Sequence, residues 1–290
     1  MAPRRPQPAA PQPELVDPRW LLRTVGILIV AAIFCGYLTL GLLFAVGSWQ
    51  LVLHPTRGAG GTGQQSEHVQ FGPDASGNPQ LAGEWLAAAP GSLRAGDVVL
   101  YLRSGDGQLD RGDGTQIAAL HDLGLSVLAF DYRGFGGSAV RPHPSEAHML
   151  QDAEDAWNYL QSVRKFDPDK IVLFGSGVGV SLAAQLAASH KPAALIAYNA
   201  DPDVLARVLR DPRGTMFPVR LLFHERFALD ALTTLAVPKL LYTIGPTYAE
   251  RRAVYASAAA PKLTVEVPTH DAEQETVALR RFLDEYVGGR

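Results

Sequence analysis

The chain has 290 residues, 47% of them hydrophobic and 19% charged, with a formal net charge of −3 and one cysteine. That length accommodates one large domain or two modest ones. A lone thiol, Cys35, excludes an intrachain disulfide framework and a cysteine-built zinc site, and no block of positive charge is large enough for a nucleic-acid interface.

The first 18 residues hold six prolines: Pro3, Pro6, Pro8, Pro11, Pro13 and Pro18. Proline withholds backbone donors and turns the preceding residue away from helix, so residues 1–19 are expected to form a disordered tail. From 24 to 53 no residue is charged. As a helix these positions would extend about 45 Å, more than the roughly 30 Å hydrocarbon core of a bilayer. Trp20 and Trp49 stand where interfacial aromatics belong. Residues 20–53 are therefore expected to be a transmembrane anchor, with the bilayer contacted through 24–53.

Arg4, Arg5, Arg19 and Arg23 precede the span against only Glu14 and Asp17, and the first basic residue beyond it is Arg57. The positive-inside rule then places the amino terminus in the cytoplasm and the carboxyl-terminal domain outside it. A cleaved signal peptide ending near Ala45-Val46-Gly47 competes with this reading, but the apolar run is longer than the roughly 7–15 residues of a signal core. Cys35 falls mid-span and reads as a small packing residue.

From His54 onward there are 22 basic and 27 acidic residues and no second long apolar run. The glycines of 58–63 read as a flexible connection, giving a linker over 54–67 and a folded domain over 68–290. Residues 69–71 and 81–87 form an expected hairpin around Asp74-Ala-Ser-Gly-Asn-Pro79. Apolar strands follow at 98–102, 127–130, 171–174, 194–198, 239–244 and 264–267, with helices at 115–123, 146–164 and 180–189 between them. Ser145 is placed to cap the second helix, whose inner face carries Met149, Ala153, Ala156, Trp157 and Leu160. Unalternating apolar strands separated by helices predict an α/β fold with a mostly parallel sheet covered on both faces.

The run Asp169-Lys-Ile-Val-Leu-Phe-Gly-Ser-Gly-Val-Gly179 reads as a strand, a sharp glycine turn and a helix, the form of a nucleophile elbow. With Phe130-Asp-Tyr-Arg-Gly-Phe-Gly-Gly-Ser138 and the late Val237-Pro-Lys-Leu-Leu strand, it resembles the α/β-hydrolase superfamily, and most nearly its membrane-anchored, BEM46-like serine hydrolases. The resemblance covers nearly everything after His68 and implies an α/β-hydrolase fold behind one transmembrane helix.

Laid on G-x-S-x-G, the elbow puts Gly177 at the nucleophile position, where no side chain exists. Ser176 is the alternative nucleophile, one residue early. Its own flanks would be Phe174 and Val178, where the pattern wants glycine, and Ser181 should already lie inside the helix. The family's His-Gly oxyanion loop corresponds to Arg103-Ser104, while the Val178 amide remains available at the helix start. The acid position of the family falls on Tyr248, in Gly245-Pro-Thr-Tyr248, and Asp201 and Asp203 are alternative acids. Val267-Pro-Thr-His270-Asp271 resembles the loop that presents the catalytic histidine. Without a hydroxyl to deprotonate, His270 has no general-base work to do. His143 and His224 lack metal-site spacing, and no cofactor is expected.

Two functions follow as expectations. The first is a catalytically impaired pseudo-hydrolase acting as a binding or scaffolding module for a small acyl or lipid-like ligand or a protein partner. The second is an active serine esterase using Ser176 and His270. The short segment between Asp201 and Leu235 leaves room for only a minimal cap.

Overall fold

Asp17 and Pro18 begin the long apolar helix. The Asp17 carboxylate accepts from the Arg19 amide at 2.9 Å, and proline suits a first turn whose donors have no helical partner. A computed structural model of the chain describes residues 17–58, 60–141, 143–212, 216–245 and 249–287. The expected tail at 1–16 and Tyr248 lie outside the described residues. Helix α1 spans Pro18–Gly47 and its apolar side chains are exposed, Leu22, Ile27 and Phe34 among them. With the following turn it has a mean hydropathy of 2.5 and is long enough to cross a membrane. The chain divides into two units at Gly47 and Ser48.

The second unit is built on an eight-stranded sheet. Its strands are β2 (Glu67–Pro73), β3 (Pro79–Leu86), β4 (Val98–Leu102), β6 (Ser126–Asp131), β7 (Ile171–Ser176), β8 (Ala194–Tyr198), β9 (Lys239–Ile244) and β10 (Lys262–Val267), after a short β1 (His54–Pro55) and with β5 (Asp106–Gly107) between β4 and β6. They lie in the order β10-β9-β8-β7-β4-β6-β3-β2. The expected hairpin is present, with β2 antiparallel to β3 and β3 antiparallel to β6, and the six remaining strands run parallel. Strands β4, β7 and β8 are buried along their length, because helices cover both faces.

The covering helices are α2 (Arg111–Asp122), α3 (Glu146–Ser162), α4 (Gly179–His190), α5 (Val204–Arg210), α6 (Val219–Leu222), α7 (Ala249–Ser257) and α8 (Ala272–Tyr286). Ser145 caps α3 through the His148 amide, and the five predicted inner residues are buried together with Asp152. Helix α2 begins four residues before its expected start. Asp110 accepts from Gly112 and Asp113, and Asp113 reaches back to the cap, a capping box that two glycines concealed. A ladder of rings crosses the sheet: Tyr101 stacks on Phe174 at 4.8 Å and Tyr198 on Tyr242 at 5.4 Å, with Phe174 and Tyr198 5.7 Å apart between them.

The expected linker is corrected. Strand β1 pairs in parallel with β5, in the loop after β4, and Leu53 is fully buried beside Gly105. The Gly58 amide donates to the Gly136 carbonyl at 3.3 Å. Thr62 is 2% exposed and its hydroxyl donates to the buried Glu84 carboxylate. A Cβ on Gly60 would stand 2.9 Å from the Gln108 amide nitrogen and nearer still to the Leu109 carbonyl. The glycine run allows close backbone approach to the domain, where composition alone read as flexibility.

Candidate functional site

Parallel strands carry their carboxyl ends to one edge of a sheet, so the loops after β4, β7, β8 and β9 open on the same crevice. The turn after β7 is the tightest. Gly177 has φ +57°, a left-handed conformation that a glycine adopts without strain, and its amide donates to the Tyr198 carbonyl at 3.1 Å. The flanking glycines are held by sterics. A Cβ on Gly175 would stand 2.6 Å from the Gly179 carbonyl oxygen and from Val180 Cα. One on Gly179 would stand 2.6 Å from the Arg103 carbonyl oxygen and closer to that of Leu102. Positions 175 and 179 are thus where strand and helix touch, and 177 is the apex between them. A Cβ at the apex would meet only Ser104 Cβ, at 3.2 Å.

Ser176 is the last residue of β7, paired with Tyr198 and half-buried. Ser181 lies inside α4 as expected, buried, with its hydroxyl donating to the Ala228 carbonyl at 2.8 Å. Val178 is buried at the start of α4, and its Cγ2 would lie 3.2 Å from a Cβ on Gly105.

The loop after β4 departs from its expected oxyanion role at Arg103. That side chain is 2% exposed and turned into the body of the loop. Nη2 donates to the carbonyls of Asp106 and Gln108, both at 2.7 Å. Nε stands 3.4 Å from Asp113, and Nη1 3.8 Å from Asp131. Burial pushes the Asp113 and Asp131 carboxyls up while the Arg103 charge pulls both down. Tyr101 donates to Asp113 at 3.1 Å, which extends the network to the ring ladder. Arg103 therefore holds the loop closed, and only Ser104 of the predicted pair meets the elbow.

The alternative acids are engaged locally. Asp203 caps α5 through the Ala206 amide at 2.7 Å. Asp201 pairs with Arg207 at 3.0 Å, and its amide donates to the Gly177 carbonyl at 3.4 Å. His270 is 54% exposed on the loop before α8, and its Nδ1 lies 3.6 Å from Glu275 Oε2. Glu275 is 5% exposed and accepts from the Tyr198 hydroxyl at 3.1 Å. Burial raises the carboxyl, while the Tyr198 hydrogen bond and the nearby imidazole lower it. Sequence reasoning missed this acid. Its signal was positional, since Glu275 shares one helical face with Ala278, Leu279 and Phe282, all buried.

A cavity of about 590 Å³ opens beside the elbow, lined by Gly177, Asn199, Asp201, Arg207, Arg210 and Arg251 with Pro202, Asp203 and Ala206. It brings Gly177 and both alternative acids together, whereas Ser176 and His270 are not among its lining residues. Among the described residues, no three His, Cys, Asp or Glu side chains group as a metal site.

A parallel sheet wrapped by helices, with a glycine-packed strand–turn–helix elbow at its carboxyl edge, defines an α/β-hydrolase fold. The family model for serine aminopeptidase, S33, matches residues 114–259, and the chain belongs to that family. The match ends before His270. An uncharacterized protein of Mycobacterium tuberculosis is 33% identical over 207 residues, covering 66% of this chain and 71% of that one. Alpha/beta hydrolase domain-containing protein 17B of Homo sapiens is 27% identical over 77 residues, covering 27% of this chain and 26% of its own. Among solved structures, an α/β hydrolase of Vibrio vulnificus superposes with a TM-score of 0.56 at 23% identity, over 77% of this chain and 79% of that one. An esterase of Pyrococcus furiosus gives 0.59 at 17% identity, over 81% and 97%. These two likenesses are of fold.

Proposed function

We propose that this chain is a membrane-anchored α/β-hydrolase-fold protein that has lost acyl transfer and serves as a binding module. The observation that carries the reading is Gly177 at the apex of the elbow, its register supported by the close contacts at Gly175 and Gly179. Losing the nucleophile of a serine hydrolase costs on the order of a millionfold in turnover, and a lost oxyanion donor roughly a hundred- to a thousandfold. The side chain turned inward at Arg103, where the resemblance expects the oxyanion loop, supports the same conclusion. The anchor is helix α1, as in the BEM46-like hydrolases that the sequence resembles. The arginines before it support a cytoplasmic amino terminus and a domain on the far side of the membrane.

A second reading, acyl transfer by Ser176 with His270, draws on one observation: His270 retains a buried carboxylate, Glu275, behind it. Turnover of a short p-nitrophenyl ester by the full chain in detergent separates the two. The binding-module reading expects the wild type to match its Ser176→Ala and His270→Ala variants. A loss of about a hundredfold or more in both variants, with folding retained, would establish the esterase.

A further inference from the structure

We infer that the cavity beside Gly177 binds a polar phosphomonoester through Arg210 and Arg251. The inference takes the binding-module reading further and rests on it, because an apex without a side chain leaves that cavity free for a ligand.

Three guanidinium groups from two separate helices line the space against two carboxylates. Their commitments differ. Arg207 is paired with Asp201, and Asp203 is turned to the first turn of α5. Arg251 uses Nε on the Ala200 carbonyl at 2.8 Å, which fixes the plane of its guanidinium. Its two terminal nitrogens, and the whole Arg210 head, have no partner among the described residues. The amino-terminal end of α4 adds up to about half a positive charge at the Gly177 side.

Arginine's planar fork recognises phosphate and carboxylate, with two parallel hydrogen bonds where geometry allows. Two forks arriving from different helices need an anion whose acceptors point several ways. A phosphoryl group offers three terminal oxygens and nearly two negative charges, whereas the two oxygens of a carboxylate face one fork. A volume of about 590 Å³ is far larger than one ion and falls within the range of small-molecule sites. Pro202 and Ala206 are its only apolar side chains, so the wall lacks the branched and aromatic groups that grip an acyl chain. The rest of the ligand is therefore polar, which replaces the acyl-ligand expectation drawn from the sequence.

Titration calorimetry on the full chain in detergent tests this with sn-glycerol 3-phosphate and, in parallel, glycerate and a short-chain phosphatidic acid. Glycerol 3-phosphate should bind, and Arg210→Gln and Arg251→Gln should each weaken it by about tenfold or more, with Arg251→Lys intermediate. Arg210 is exposed, so its variant keeps the test decisive if Arg251→Gln misfolds. Tighter binding of the phosphatidic acid would support the site and mark the source as a lipid headgroup. Equal or weaker binding would support it and mark a soluble phosphate. Absence of binding, an affinity unchanged in Arg210→Gln, or glycerate binding as tightly as glycerol 3-phosphate would overturn the inference. Ester turnover alongside intact phosphate binding would instead overturn the pseudo-hydrolase reading and leave the site standing.

Discussion

The turn after β7 and the loop after β4 leave neighbouring strands at the same edge of the sheet, yet different forces hold them. Backbone contact through Gly175 and Gly179 holds the first, and its apex carries no reactive atom. Charge holds the second: Arg103 lies buried between Asp113 and Asp131 and satisfies the carbonyls of Asp106 and Gln108. The elbow keeps its shape with no chemistry to perform, which a packing constraint alone explains. The loop carries a buried ion network where acyl transfer would want backbone donors facing a substrate. Fold geometry and reaction chemistry are thus separable in this chain, as they are wherever function resides in a site placed on a fold.

That contrast predicts a ranking of effects. Arg103→Met should cost the most, about 3–5 kcal/mol in chemical denaturation, because two buried carboxylates lose their cation. If the loop were held mainly by its backbone, the cost would fall below about 1 kcal/mol. At the elbow, Gly179→Ala should cost about 3 kcal/mol through collision with the Leu102 and Arg103 carbonyls, against about 1 kcal/mol for Gly177→Ala, where only Ser104 must yield. Equal costs would dissolve the distinction between flank and apex.

The smallest effect concerns the neighbouring 130–138 loop, where Arg133 is paired with the buried Asp152. Burial outweighs the pull of Arg133 and pushes that carboxyl up to about 6. The folded chain then keeps a proton that the unfolded chain has lost between about pH 4 and 6, so this group lowers stability as pH rises through that window. Asp152→Asn should flatten the decline by about 2 kcal/mol, read from unfolding at several pH values.

Much of the fold was legible because buried parallel strands are unbroken apolar runs. The runs at 98–102, 194–198 and 239–244 match their strands residue for residue. What failed depended on partners distant in the chain. The glycines of 58–63 look the same whether they flex or pack, and only Leu109, Gln108 and Glu84 decide between the two. Arg103 was located correctly, but the direction of its side chain depends on Asp113 and Asp131. Glu275 went unseen because its meeting with His270 and Tyr198 is spatial. The arginine-lined cavity is drawn from two helices on either side of β9, so no local motif announces it.

The central claim is that no serine at this elbow is an activated nucleophile. A fluorophosphonate probe incubated with the detergent-solubilised full chain, followed by intact-mass measurement and peptide mapping, tests it most directly. The account predicts an unmodified chain under conditions that label an active serine hydrolase to completion. One probe per chain, mapped to Ser176 and lost in His270→Ala, would contradict it.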